Sequence, residues 1–150
     1  MGRVSPPVRV LLGVVPEERA ELVPEPRIRR GILLTLEQEG VDEAEISVTF
    51  VSDEMIQRLN RDHLGHDRTT DVLSFALHGS GSPPLGDIYI GLEQAVRQAR
   101  EWKVPLDEEL VRLAIHGTLH VLGYDHPEGE GREDSLHFQR QEALVRRALA

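Results

Sequence analysis

The stretch HGTLHVLGYDH, residues 116–126, constrains this chain more than any other. It holds three of the seven histidines, at positions 116, 120 and 126. The segment before it, PLDEELVRLAIHGTLHVL (105–122), reads as a helix, with Pro105 suited to a first helical position. Residues four apart on a helix share a face, one turn above the other, so His116 and His120 point the same way. Gly123 suits a left-handed backbone and predicts the end of the helix just after Leu122. The chain can then turn back and bring His126 in front of the other two. Three neutral imidazoles around one point leave a fourth position free, which is the pattern of catalytic rather than structural zinc. Three unrelated histidines are the plain alternative. This spacing, with a glycine at the required turn, favours a metal site.

The H-x3-H-x5-H spacing also belongs to the long zinc-protease motif, its glycine included. In that motif a glutamate follows the first histidine and serves as general base. Here the residue is Gly117, which cannot accept a proton. The only methionines, Met1 and Met55, supply no methionine turn. Proteolysis is the weakest of the metal-dependent readings.

The rest of the chain mixes strands and helices. Strands are predicted over 8–15, 44–51, 71–77 and 86–91, where aliphatic and β-branched residues run or alternate. Helices are predicted over 27–40, 52–63, 91–102, 105–122 and 131–150. In the first of them Ile28, Ile32, Leu33 and Leu36 are the expected inward face. In the second they are Met55, Ile56 and Leu59, behind a cap at Ser52 or Asp53. In the last, Leu136, Leu144 and Leu149 are expected contacts. VPEERAELVPEP reads as a proline-punctuated loop with at most a short turn, and HGSGSPPL as a turn-rich linker. The expectation is one α/β (α+β) domain over residues 1–150, a small mixed sheet of about four strands packed with helices. The pattern does not give the strand order.

Composition narrows the function. With no cysteine, a metal must take nitrogen or oxygen ligands. No apolar run approaches a membrane span, and VLLGVV is too short for a signal-peptide core. Pro6 stands where a myristoylation signal wants Ser or Thr. A cytoplasmic protein with no membrane partner is expected. The net charge of −9 argues against nonspecific coating of nucleic acid, but leaves room for a local basic groove.

HGTLHVLGYDH resembles the signature of the YbeY family of bacterial metal-dependent endoribonucleases. LNRDHLGHDRTTDVLSF (59–75) and LGDIYI (85–90) resemble further stretches of that family, in the same order. The resemblance spans about residues 44 to 137. It implies a compact α/β fold and one zinc ion per chain, on His116, His120 and His126. It implies cleavage of single-stranded rRNA in 16S rRNA maturation and ribosome quality control, with the small ribosomal subunit and its proteins as partners. One departure stands out. Where the family has an aromatic residue followed by arginine, this chain has His63 and Leu64, and Thr69 precedes Thr70. Leucine cannot fork onto a phosphate as arginine does.

Zinc lowers the pKa of bound water towards ~7, so the missing glutamate is tolerable. Asp125 is a candidate proton relay, with a turn residue or a partner to a ligating histidine as the ordinary alternatives. Asn60, Asp71 and Ser74 are groove residues by resemblance; by plain reading they are a helix end, a turn cap and the polar side of a strand. His63 and His66 read as surface histidines, with a fourth-ligand role as the alternative. His137 reads as a surface or boundary residue. The RIRR run (27–30) reads as a solvated helix face more readily than as a phosphate site. Two other functions compete: a non-catalytic ribosome-assembly factor with structural zinc, and a metal-dependent hydrolase of another ester or amide.

Overall fold

The alternation Ala44, Ile46, Val48, Phe50 makes one face of a strand wholly apolar, and all four residues are buried. That strand lies near the middle of the sheet. The structure is a computed structural model that describes residues 7–124 and 136–150. Its strands are β1 (Val8–Val15), β2 (Ala44–Val51), β3 (Val72–Ala76) and β4 (Leu85–Gly91). They form one four-stranded sheet in the order β1-β2-β4-β3. β1 and β2 are parallel, β2 and β4 are parallel, and β3 runs antiparallel to β4. The sheet is mixed, as expected, and the fold is α+β.

The helices are α1 (Glu25–Gln38), α2 (Asp53–Leu64), α3 (Leu92–Trp102), α4 (Leu106–Val121) and α5 (Leu136–Leu149). One sheet face carries Ile46, Val48, Phe50, Ile88 and Ile90 and packs against residues of α1, α4 and α5. The other face carries Leu73, Phe75 and Tyr89 and meets Met55, Ile56 and Leu59 of α2. α4 is buried from Leu110 to Val121 except along one half-buried stripe, Arg112, His116 and His120. It touches α1, α3, α5, β3 and β4.

Two glycines let α4 lie this close. A Cβ at Gly117 would come 2.8 Å from Ile88 Cγ2 and 3.0 Å from Ser74 Oγ. A Cβ at Gly86 would come 2.5 Å from Val121 Cγ2. Each glycine thus takes a side chain of the other element against its bare backbone, Val121 on Gly86 and Ile88 on Gly117.

Some local expectations change. The segment after β1 holds a short 3-10 helix, Glu17–Leu22, where a loop was expected. α1 starts at Glu25, with Pro26 in its first turn, where a missing N–H costs nothing. Its buried face runs Ile28, Gly31, Ile32, Thr35 and Leu36, which turns Leu33 outward. Leu136 is also exposed, because it opens α5 one residue ahead of the buried stripe. Ser52 caps α2, accepting from the Met55 N–H at 3.2 Å. Among the described residues, no helix is long and apolar enough to cross a membrane.

Candidate functional site

α4 sets the site. His116 and His120 lie one turn apart on its half-buried face, ring centroids 4.6 Å from each other. The helix stops as expected: Gly123 takes φ +104°, its N–H reaches His120 O, and the Tyr124 N–H reaches Leu119 O at 3.0 Å. These two bonds close a Schellman cap. Tyr124 is then held from two sides. Its hydroxyl donates to Glu39 at the end of α1 and accepts from Arg140 of α5. The Glu39 bond holds the Tyr124 hydroxyl above the ordinary phenol value, against the pull of Arg140. The chain therefore leaves α4 from a fixed point. His126 and Asp125, expected just beyond it, lie outside the described residues.

α5 supplies the support. His116 Nδ1 lies 2.7 Å from Gln141 Oε1, and Gln141 Nε2 donates to Glu142 Oε2 at 3.2 Å. A carboxylate only accepts, so the amide nitrogen of Gln141 must face Glu142 and its oxygen must face His116. His116 is then the donor at Nδ1, which in the neutral ring leaves the lone pair on Nε2. Arg112 braces Glu142 through two bonds, at 2.9 and 3.0 Å, and also binds Glu108 and Glu109. Burial works against the charges on Arg112 and Glu142, but their mutual contacts prevail. The arginine pKa rises and the Glu142 carboxyl falls below its ordinary value.

His137 corrects the sequence reading. It is buried at 7% exposure, not at the surface. Its ring centroid lies 5.9 Å from His116 and 5.8 Å from His120. The signal was present: His137 and Gln141 share the spacing of Leu144, Val145 and Ala148, the buried stripe of α5. Polar residues on an apolar stripe mark a lined cleft or a network, and here they mark both.

Asp71 and His116 line one cavity of about 590 Å³, with Trp102, Arg112, Phe138 and Gln141 among its other walls. Ser74 faces α4 beside Gly117, one residue from His116. The structure thus places Asp71 in one cavity with His116, and Ser74 against Gly117.

The family model described as Endoribonuclease YbeY matches residues 19–148. The chain belongs to the YbeY family. A protein named Endoribonuclease YbeY from Desulfitobacterium hafniense is 44% identical over 140 residues, covering 80% of this chain and 87% of that protein. The Bacillus licheniformis protein of the same name is 40% identical over 147 residues, covering 90% of this chain and 89% of its own. The solution structure of TM1509 from Thermotoga maritima superposes with a TM-score of 0.64 at 29% identity, covering 94% of this chain and 88% of that one.

The other residues named from the sequence sit elsewhere. Asn60 is buried at the end of α2, where its amide donates to Arg68 O at 3.0 Å and ties down the connection leading to Asp71. The His63 ring meets Phe75 edge-on, on the α2 side of the sheet, whereas Ser74 faces α4. Leu64 is exposed at the last position of α2, and His66 is exposed beyond it. The RIRR arginines fasten elements together: Arg27 to Asp107, Arg29 to Val10 O, Arg30 to Arg147 O.

Proposed function

We propose that the protein is a zinc-dependent endoribonuclease that cuts single-stranded rRNA in 16S rRNA maturation and ribosome quality control. The small ribosomal subunit and its proteins are its partners in this reading, and the cytoplasm its compartment. The observation that carries the proposal is the 2.7 Å bond between His116 Nδ1 and Gln141 Oε1, beside the His120 ring. An imidazole held at one nitrogen is oriented to give the other to a metal. The donor set suits zinc: imidazoles, with no thiolate in the chain. Among the described residues no group of three His, Cys, Asp or Glu is arranged to hold an ion. The third donor in this reading is His126.

Bound zinc supplies an acidified water and a positive charge next to the phosphate. The chain supplies position. Gln141 and Glu142 hold His116; Asp71 and Ser74 flank the approach; Asn60 shapes the connection that delivers Asp71. Gly117 offers no base, so proton relay falls to Asp125 or to a phosphate oxygen.

The test is single-turnover cleavage of a single-stranded rRNA fragment at low salt. Zinc-loaded protein is compared with chelated protein and with His116→Ala. Cleavage is expected only with zinc and intact His116. Cleavage that survives complete metal loss overturns the mechanism. The second reading, a ribosome-assembly factor with structural zinc, is favoured by Leu64 in the arginine position. Stoichiometric zinc without cleavage selects it.

A further inference from the structure

The cavity beside His116 runs back along α4 to Glu109 and reaches Gln98 and Trp102 of α3. From Glu109 to His116 the helix rises about 10 Å. At about 590 Å³ it has the size of a small-molecule site.

Its walls select the guest by chemistry. The cationic side chain among them, Arg112, is bound to Glu108, Glu109 and Glu142. Asp71, Glu109 and Glu142 leave the lining net acidic, which repels a phosphate. Two aromatic rings also line it: Phe138, half-buried, and Trp102, 67% exposed at the end of α3. The inner polar wall accepts hydrogen bonds. Glu109 receives Gln98 Nε2 at 2.8 Å and Arg112 Nη1 at 2.9 Å, one on each oxygen. A carboxylate has about four acceptor sites, so half remain. A flat guest that stacks on the rings, carries no negative charge in the cavity and offers N–H donors to Glu109 fits this lining.

We propose that this cavity is a nucleobase pocket. It takes a base from a nucleotide near the scissile phosphate, stacked against Trp102, with its exocyclic amino group turned to Glu109. Adenine, cytosine and guanine carry that group; uracil does not. The inference rests on the endoribonuclease reading and adds where the substrate's base sits and which bases it favours.

Trp102 is the only tryptophan, so it reports on the pocket directly. Zinc-loaded protein is titrated with short oligoadenylate and oligouridylate, following tryptophan emission and, separately, the anisotropy of labelled RNA. Oligoadenylate should change the emission and bind more tightly. Trp102→Ala should weaken oligoadenylate binding about tenfold, and Trp102→Phe should restore most of it. RNA that binds and is cut with no emission change, and with Trp102→Ala unaffected, overturns the pocket and leaves the nuclease standing. No binding of either RNA overturns both. An emission change with an arginine-rich peptide and none with RNA assigns the cavity to a protein partner and overturns the pocket.

Discussion

Gly117 shows how one missing side chain decides the chemistry. The position that carries the general base in zinc proteases is pressed against Ile88 and Ser74 here, with no room for a Cβ. Gly117→Ala would gain up to about 1 kcal/mol of helix propensity and lose about 1–3 kcal/mol to overpacking. A net loss of stability is expected in urea unfolding, and an unchanged midpoint would refute the close contact. Gly117→Glu should not fold, so the protease base cannot be grafted onto this helix. Gln141 acts differently, by holding His116 through its oxygen. Gln141→Leu should weaken zinc about 10–100-fold in competition with a chromophoric chelator. Gln141→Glu keeps an acceptor and should retain most of the affinity; equal losses in both variants would mean that the contact serves packing alone.

At the scale of elements, α5 is joined to α4 by charge as well as by apolar contact. Glu142, held by Arg112, has its carboxyl lowered in the folded protein. A lowered carboxyl stabilises the fold above its unfolded value of about 4.3, and that contribution is lost as pH falls through the folded value. Glu142→Gln should therefore flatten the acid side of the stability curve, as thermal melts from neutral pH downward would reveal. A parallel shift at every pH would argue against the ion pair. The helices and strands were legible from periodicity because each buries one stripe or face. The His116–His120 pair was legible from its spacing of four. Gln141 and Glu142 were not singled out, and His137 was placed at the surface or boundary, since their significance depends on α5 lying along α4, a contact between segments 25 residues apart for His116 and Gln141. The strand order was hidden for the same reason: β4 pairs with β2 across an intervening helix and strand.

The whole molecule is acidic, and many of its arginines are committed within it. Arg9, Arg27, Arg58, Arg97 and Arg112 all form ion pairs. With a net charge of −9 and these arginines paired, binding of single-stranded RNA should depend weakly on salt. A log–log slope of about −1 to −2 is expected, corresponding to two or three phosphate contacts. A slope steeper than about −4 in an anisotropy series would reveal a basic surface not evident in the fold. The close seating of α4 on β4, at Gly86 and Gly117, has a consequence for redesign. One half of the site is cast with the sheet and can be neither slid nor turned without unmaking the core. The other half hangs on exchangeable side chains of α5. Anyone wishing to redesign the site should leave α4 alone and work from α5, keeping the Gln141 contact to His116.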